Sequence, residues 1–365
     1  MIASPDVLDA LDAGLTLPAS WYGADDGVYR AELERIFART WQYAGRAELA
    51  RGRGQFFTAS AGHVPVVVVR HPDGGLRAFV NVCRHRGHLV AEGTGRRESL
   101  QCPYHAWTYD LDGRLRAAPR ADREPGFDFS CYSLLPVAVD TWGPFVFVNP
   151  DPDAAPLSDS LGGLPELLAD SGIELDRLRF RGRDEWTVEV NWKVAIENYL
   201  ECYHCPVAHP GFSKVVDVDP DAYRLEADGL VLSQLAPARV PRPGEVLPYP
   251  TDGEVRRAQF HLLWPNFGMN VEPGPPNLSV DVWLPDGPHR VRGVADRFFG
   301  EDVDDETAEA IAEFSAQVGR EDNALVASVQ RGLDSGMVEH GRVLADSEQL
   351  LRRFQRLVYD AIAAG

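Results

Sequence analysis

Lysine is nearly missing from this chain. Only Lys193 and Lys214 occur, and arginine supplies the rest of the 36 basic side chains. Against 55 acidic side chains they leave a net charge of −19. Phosphate backbones and anionic lipid surfaces are bound by an excess of Lys and Arg, so this balance excludes nucleic acid and anionic membrane as partners. Long apolar runs are missing too. None approaches the roughly 20 residues that a membrane helix needs, and the opening M-I-A-S-P-D-V-L-D-A lacks the basic start and apolar core of a secretion signal. Cysteine is sparse and odd in number, at 83, 102, 131, 202 and 205. That count predicts no disulfide framework and fits a reducing cytoplasm. No Gly-x-Gly-x-x-Gly fingerprint follows a predicted strand, so any nicotinamide or flavin chemistry belongs to a separate protein.

What is present is the make-up of a globular protein, 44% hydrophobic and 25% charged over 365 residues. That length accommodates two domains. An amphipathic helix is predicted from Asp25, its cap at Asp25 or Asp26, to about Thr40, with Tyr29, Leu33, Ile36 and Phe37 on one stripe. Short strands and turn signals follow. Pro65–Arg70 reads as a buried strand, Leu76–Val82 as its return, and Gly143–Asn149 as a last strand. Asp112-Gly113 turns a hairpin between Trp107–Leu111 and Arg114–Ala118. Residues 150–165 are rich in Pro, Gly, Ser and Asp and mark a boundary. Beyond it come a strand over Leu178–Val190, a helix over Asn191–Cys205, strands across 222–300, and helices at about 304–332 and 346–363. The expected organisation is a small all-β domain over 41–155 and an α+β domain formed by 1–40 with 156–365.

The first domain carries the strongest chemical signal. Cys83-x-His85 and Cys102-x-x-His105 form two short clamps separated by residues 86–101. A structural zinc site usually pairs Cys with Cys and His with His. Here each clamp mixes the two, which suits a Rieske [2Fe–2S] cluster, where two Cys hold one iron and two His the other.

The second domain holds His204 and His209. On an unbroken helix a spacing of five sets them about 140° apart, but Pro206 breaks the helix between them and can let them converge. Two His and one carboxylate make the facial triad of non-haem Fe(II) oxygen activation. Asp322 is the expected third ligand, because it interrupts an apolar helical stripe of Val318, Leu325, Val326 and Val329, where a carboxylate is costly unless paired or metal-bound. Glu321 is expected to point off that stripe. Cys202-x-x-Cys205 beside these histidines admits a zinc knot or a redox pair, but with iron there the two thiols are expected to be packing residues. Tyr203, Trp264, Phe267 and Trp283 are candidates for a cage around a cationic ammonium group, or else for core positions.

The run C-R-H-R-G…C-P-Y-H-A-W-T-Y resembles the Rieske segment of the large (α) subunits of Rieske non-haem iron oxygenases, and the resemblance spans nearly the whole chain. It implies that the second domain is a helix-grip fold of the kind seen in lipid-transfer domains. It implies a terminal oxygenase that uses O2 and electrons from a separate reductase or ferredoxin, NAD(P)H entering only through that partner. A segment like Val329–Leu333 follows the family's carboxylate ligand, matching Asp322. Glu201 matches the acidic residue that bridges the mononuclear iron to a Rieske histidine, here His105, of the neighbouring subunit in a head-to-tail homotrimer. Glu at that position, with E-C-Y-H-C-P-V-A-H-P, resembles the branch that oxidises quaternary ammonium compounds such as glycine betaine, choline and carnitine. N-demethylation or hydroxylation of such a small molecule is therefore the expected reaction. Oxidation of an aromatic or natural-product scaffold is the alternative, and a non-catalytic Rieske electron carrier a third reading of another class.

Overall fold

The computed structural model describes residues 3–23 and 26–364. The chain divides into two compact units, one of Phe37–Leu157 and the other of the segments on either side of it.

The inner unit is built from ten strands: β1 (Gln42–Arg46), β2 (Gln55–Ala61), β3 (Val64–Arg70), β4 (Leu76–Val80), β5 (Thr94–Arg96), β6 (Leu100–Gln101), β7 (Thr108–Tyr109), β8 (Leu115–Ala117), β9 (Pro136–Trp142) and β10 (Phe145–Asn149). Seven pair antiparallel in the order β1-β10-β9-β4-β3-β2-β5, and β6-β7-β8 form a second small sheet. The run Val66–Val69 of β3 shows why this segment is a strand. Val67 and Val69 join one core with Phe56, Phe79 and Leu100, while Val66 and Val68 join another with Phe57, Ala78 and Val146. Successive side chains of a strand point to opposite faces, so only a run apolar at every position fills both cores. Each fully buried valine contributes about 1.5–3 kcal/mol relative to exposure.

The outer unit holds a seven-stranded antiparallel sheet in the order β11-β17-β16-β15-β14-β13-β12. Its strands are β11 (Leu178–Val188), β12 (Arg224–Asp228), β13 (Val231–Pro237), β14 (Arg257–Leu263), β15 (Phe267–Val271), β16 (Asn277–Pro285) and β17 (Val291–Gly300). A long helix, Asp305–Asp334, starts at Asp304, whose carboxylate accepts the Thr307 N–H at 2.8 Å. It buries Ala308, Ile311 and Phe314 in one core with Ala258, Phe260 and Phe299 of the strands. Sheet and gripping helix make the α+β, helix-grip arrangement that the resemblance implied. No described helix is long and apolar enough to cross a membrane.

Within this unit one of the two lysines is wholly buried. Lys193 Nζ donates to Glu32, also fully buried, and Trp192 Nε1–H donates to the other oxygen of that carboxylate at 2.8 Å. A buried pair persists because its remaining hydrogen-bonding capacity is met.

Several expectations are corrected. The helix predicted over Asn191–Cys205 ends at Tyr199, six residues before the cysteine, and Pro206 instead sits in the first turn of a separate helix, Cys205–Ala208. A proline's missing N–H is an orphan there anyway, which makes that position favourable. Cys202 and Cys205 are joined by a disulfide rather than packed as free thiols. Of the apolar stripe proposed around Asp322, Val326 is buried, but Leu325 and Val329 are exposed. The helix predicted from Asp25 begins, within the described residues, at Asp26, which is thus inside the helix; the other expected cap, Asp25, lies outside the described residues.

Two candidate metal centres and a cavity

The two clamps of the inner unit have the same local design. The Cys83 carbonyl accepts the Gly87 N–H and the Cys102 carbonyl accepts the Ala106 N–H, both at 3.0 Å. Each acceptor loop closes on a residue in the left-handed region, Gly87 at φ +76° and Ala106 at φ +57°. Glycine adopts that conformation without penalty; Ala106 is held in it by the loop. The Cys83 and Cys102 N–H groups donate to His88 O and Trp107 O, both at 2.8 Å. Both thiols are buried, whereas His85 and His105 are exposed. The two imidazole rings lie 4.6 Å apart between centroids. Cys83 Sγ is 3.3 Å from the Tyr109 hydroxyl. Burial, and then contact with Cys83, pushes the Cys102 thiol up, while desolvation and then His85 and Arg86 hold the His105 imidazole below its ordinary value. Neutral imidazoles and a thiol pair are the donor set of a Rieske cluster.

The second centre is built by the chain that follows the Trp192–Tyr199 helix. Asn191 caps that helix, its Oδ1 accepting the Lys193 N–H at 3.0 Å, and its own N–H donates to Gln330 Oε1 of the long helix at 2.8 Å. After Tyr199 the backbone leaves the helix. The Glu201 carboxylate then collects the Tyr203 N–H at 2.5 Å, the His204 N–H at 3.2 Å and the His204 ring N–H at Nδ1. The Cys202–Cys205 bond closes a ring of four residues around His204. His209 ends the Cys205–Ala208 helix and donates its backbone N–H to Cys205 O at 2.9 Å.

His204, His209 and Asp322 thereby converge. The Nε2 atoms lie 3.1 Å apart, and Asp322 Oδ1 is 3.0 Å from His209 Nε2 and 3.4 Å from His204 Nε2. Ligands at neighbouring corners of an octahedron, each about 2.1 Å from the metal, are about 3.0 Å apart, so two of the three edges match a facial set. Charge makes the same case. His204 Nδ1–H is taken by Glu201, and His209 Nδ1–H donates to Glu321 Oε2 at 2.8 Å. Both Nε2 lone pairs therefore point at Asp322, and such a cluster of acceptors needs a cation. In the metal-free chain burial works against protonation, but Asp322 and Glu201 outweigh it and raise His204 to about 9. The two imidazoles in turn hold the Asp322 carboxyl below its usual range against the effect of burial.

Glu321 is a correction to the sequence reading. It does not turn away from the site. Its carboxylate joins His209 to Gln317 Nε2, which donates to the other oxygen at 3.0 Å.

A cavity of about 370 Å³ opens beside the triad. Trp283, Asn270 and Glu272 line it, but Tyr203, Trp264 and Phe267 do not. Tyr203 is 63% exposed; Trp264 packs between Trp192 and Phe354, and Phe267 is fully buried. Trp186, Tyr199, Phe212, Tyr223 and Phe260 supply further large rings. Gly293 on β17 stands opposite Trp186 of β11 and Trp283 of β16, and a Cβ there would come within 1.9 Å of the Trp186 ring. Its bare backbone thus makes room for an indole. Asn270 organises the floor. It accepts the Tyr199 hydroxyl at 2.6 Å and donates to Asp281 Oδ2 at 2.5 Å.

An inner β unit with two Cys–His clamps, and a helix-grip unit with a two-His, one-carboxylate centre, define an oxygen-activating Rieske protein. Residues 40–138 match the Rieske [2Fe-2S] domain, and residues 175–364 match the ring hydroxylating alpha subunit (catalytic domain). The chain belongs to this family of ring-hydroxylating oxygenase α subunits, and its cofactors are a Rieske [2Fe–2S] cluster and a mononuclear iron. It is 34% identical over 337 residues to the carnitine monooxygenase oxygenase subunit of Escherichia coli (strain K12), covering 91% of this chain and 88% of that one. It is 32% identical over 350 residues to the chloroplastic choline monooxygenase of Amaranthus tricolor, covering 93% and 76%. Among solved structures it is similar to a quaternary ammonium Rieske monooxygenase described in terms of carnitine oxidation by gut microbiota and inter-subunit electron transfer, at a TM-score of 0.83, 32% identity and 98% of each chain.

Proposed function

We propose that the protein is the terminal oxygenase component of a system that oxidises a quaternary ammonium compound, with a separate reductase or ferredoxin as electron donor. The observation that carries this reading is the junction of the triad with a cavity walled by Trp186, Tyr199 and Trp283. Faces of such rings attract a desolvated ammonium group by about 2 kcal/mol or more each. The carnitine and choline monooxygenases among its relatives support the same substrate class.

In this reading Cys83, His85, Cys102 and His105 hold the cluster, and His204, His209 and Asp322 hold the iron. When bound, the cluster would supply single electrons and the iron the activation of O2. The chain's own residues do the rest. Glu201 fixes the His204 tautomer from Nδ1, and Glu321 does the same for His209. The aromatic wall excludes water and sets an N-alkyl group toward the triad. A head-to-tail homotrimer, with Glu201 meeting His105 of the next subunit, belongs to the proposal. Rings of this heterologous kind close, and the inter-subunit electron transfer described for the similar structure supports it. A cytoplasmic location belongs to the proposal as well.

The test is a single turnover of the reduced, iron-loaded protein with O2 and choline, glycine betaine, L-carnitine or a simple aromatic. An aldehyde or formaldehyde formed in proportion to cluster oxidation, from an ammonium compound alone, is the expected result. A hydroxylated arene instead would move the reading to ring oxidation.

A further inference from the structure

The cavity floor contains a carboxylate that the oxygenase mechanism does not use. Glu272 follows β15 and is 6% exposed. Its backbone is satisfied, since the Glu272 N–H donates to Asn277 Oδ1 at 3.0 Å and its carbonyl accepts Asn277 Nδ2–H at 2.8 Å. The carboxyl group is not. Oε2 is buried with no hydrogen-bond partner among the described residues. Glu272 lines the cavity together with Asp281. Burial first, and then the negative charge of Asp281, push its carboxyl up to about 8. A buried carboxyl without a partner is retained at a loss of stability, and the cavity is where a partner can enter.

The other charges around the cavity sharpen the requirement. Asp184, Glu185, Glu201, Glu272, Asp281 and Asp322 line it, against Arg297 and Arg320. Setting aside the two carboxylates at the triad, Glu201 and Asp322, leaves four acids and two guanidinium groups. Both guanidinium groups are already engaged, Arg297 with Asp184 and Arg320 with Glu313 at 2.6 Å. No described cation lining the cavity is therefore free to receive a second carboxylate.

We infer that Glu272, supported by Asp281, is the counter-charge for the substrate's ammonium group, and that the cavity selects a net cation, such as an ammonium alcohol, over a zwitterion carrying its own carboxylate. The inference rests on the quaternary-ammonium reading above and adds the residue and the charge rule. The aromatic wall gives the cation a surface; Glu272 and Asp281 set the sign and size of the charge that is accepted. A quaternary ammonium group has no N–H to donate, so what it brings to Glu272 is an opposite charge at short range, held in a buried site where that attraction is little screened. Binding of a zwitterion brings a carboxylate into a space with excess negative charge.

The experiment measures dissociation constants by calorimetry on the cluster- and iron-loaded protein at pH 8. The probes are choline, its neutral isostere 3,3-dimethylbutan-1-ol, glycine betaine and L-carnitine. Choline is expected to bind at least tenfold more tightly than the isostere and than either zwitterion. Glu272→Gln, which keeps shape and removes charge, is expected to weaken choline at least tenfold and to leave the isostere unchanged, with the cluster absorbance and iron content intact. Glu272→Asp should restore part of the loss, and Asp281→Asn gives a second reading on a side chain of the same floor. Equal affinity of wild type and Glu272→Gln for every cation that wild type binds overturns the inference while leaving the quaternary-ammonium reading in place. So does tighter binding of a zwitterion than of choline. Failure of the wild-type protein to bind or oxidise any ammonium compound overturns both.

Discussion

Glu321 Oε2 accepts the ring N–H of His209 at 2.8 Å. Glu201 makes the corresponding contact with His204. Both histidines of the triad are thus gripped at Nδ1 by a carboxylate, which fixes the tautomer and leaves Nε2 as the donor atom. Partners of this kind typically account for 10- to 100-fold in metal affinity.

Glu321→Ala is accordingly expected to weaken iron binding by about 10- to 100-fold while the cluster spectrum stays unchanged. Glu321→Gln should fall between, because its amide oxygen still accepts the proton. Iron content after graded dialysis against a chelator, read beside cluster absorbance, checks both variants.

His204→Ala separates an oxygenase from an electron carrier. The expected protein retains its cluster and accepts electrons, but forms no product in single turnover and does not bind iron at the second site. A variant that still oxidised substrate would remove His204 from the triad.

Most of the metal chemistry was legible in the sequence because it depends on residue type and short spacing. Cys83, His85, Cys102 and His105 lie in two tight loops, and loops that short leave little freedom. Asp322 was legible as a carboxylate within a helical pattern. Glu321 was misread because the stripe around it is not uniformly buried: Leu325 and Val329 face outward, so the apolar pattern did not mark the inner face. The cavity was less legible still. On β16 the apolar Leu278, Val280 and Val282 alternate with Ser279, Asp281 and Trp283, and the second set lines the cavity. That period of two was the available signal. Tyr203 and Trp264 were chosen for being aromatic, without regard to which face they occupied.

The four-residue ring closed by Cys202 and Cys205 surrounds His204. Chain-entropy estimates for so short a loop give about 2 kcal/mol. Replacing both cysteines by alanine, or adding dithiothreitol, is expected to lower the thermal transition of the outer unit and to increase iron loss, with the cluster unaffected. Calorimetry with and without reductant, followed by iron analysis, is the check.

The Lys193–Glu32 pair is enclosed on all sides. Removing one member leaves an uncompensated charge, so Lys193→Met is expected to destabilise by about 3–5 kcal/mol. Adding Glu32→Gln should recover much of that loss, and urea titration of the single and double variants measures it.

The pH dependence of the ligand-free protein follows from three carboxyls. Burial is the main cause in each case, raising Glu272 to about 8, with Asp281 and Glu197 each at about 7. In the unfolded chain they ionise near 4, so it releases their protons first as pH rises. Their contribution is full below pH 4 and is lost progressively up to about pH 8. Melting temperature should therefore fall across that interval. Glu272→Gln should reduce the fall and melt higher than wild type at pH 8, the difference vanishing at pH 4. A cation bound at Glu272 should reverse the trend.

The two clamps place sulfur and nitrogen on opposite sides of one boundary. Cys83 and Cys102 are 3% and 2% exposed, whereas His85 and His105 stand outside. A cluster held by these four would have packed side chains against its thiolate ligands and its two imidazole ligands at the surface of the chain. A partner that delivers or takes an electron there would meet the imidazoles first and the packed thiolate side last.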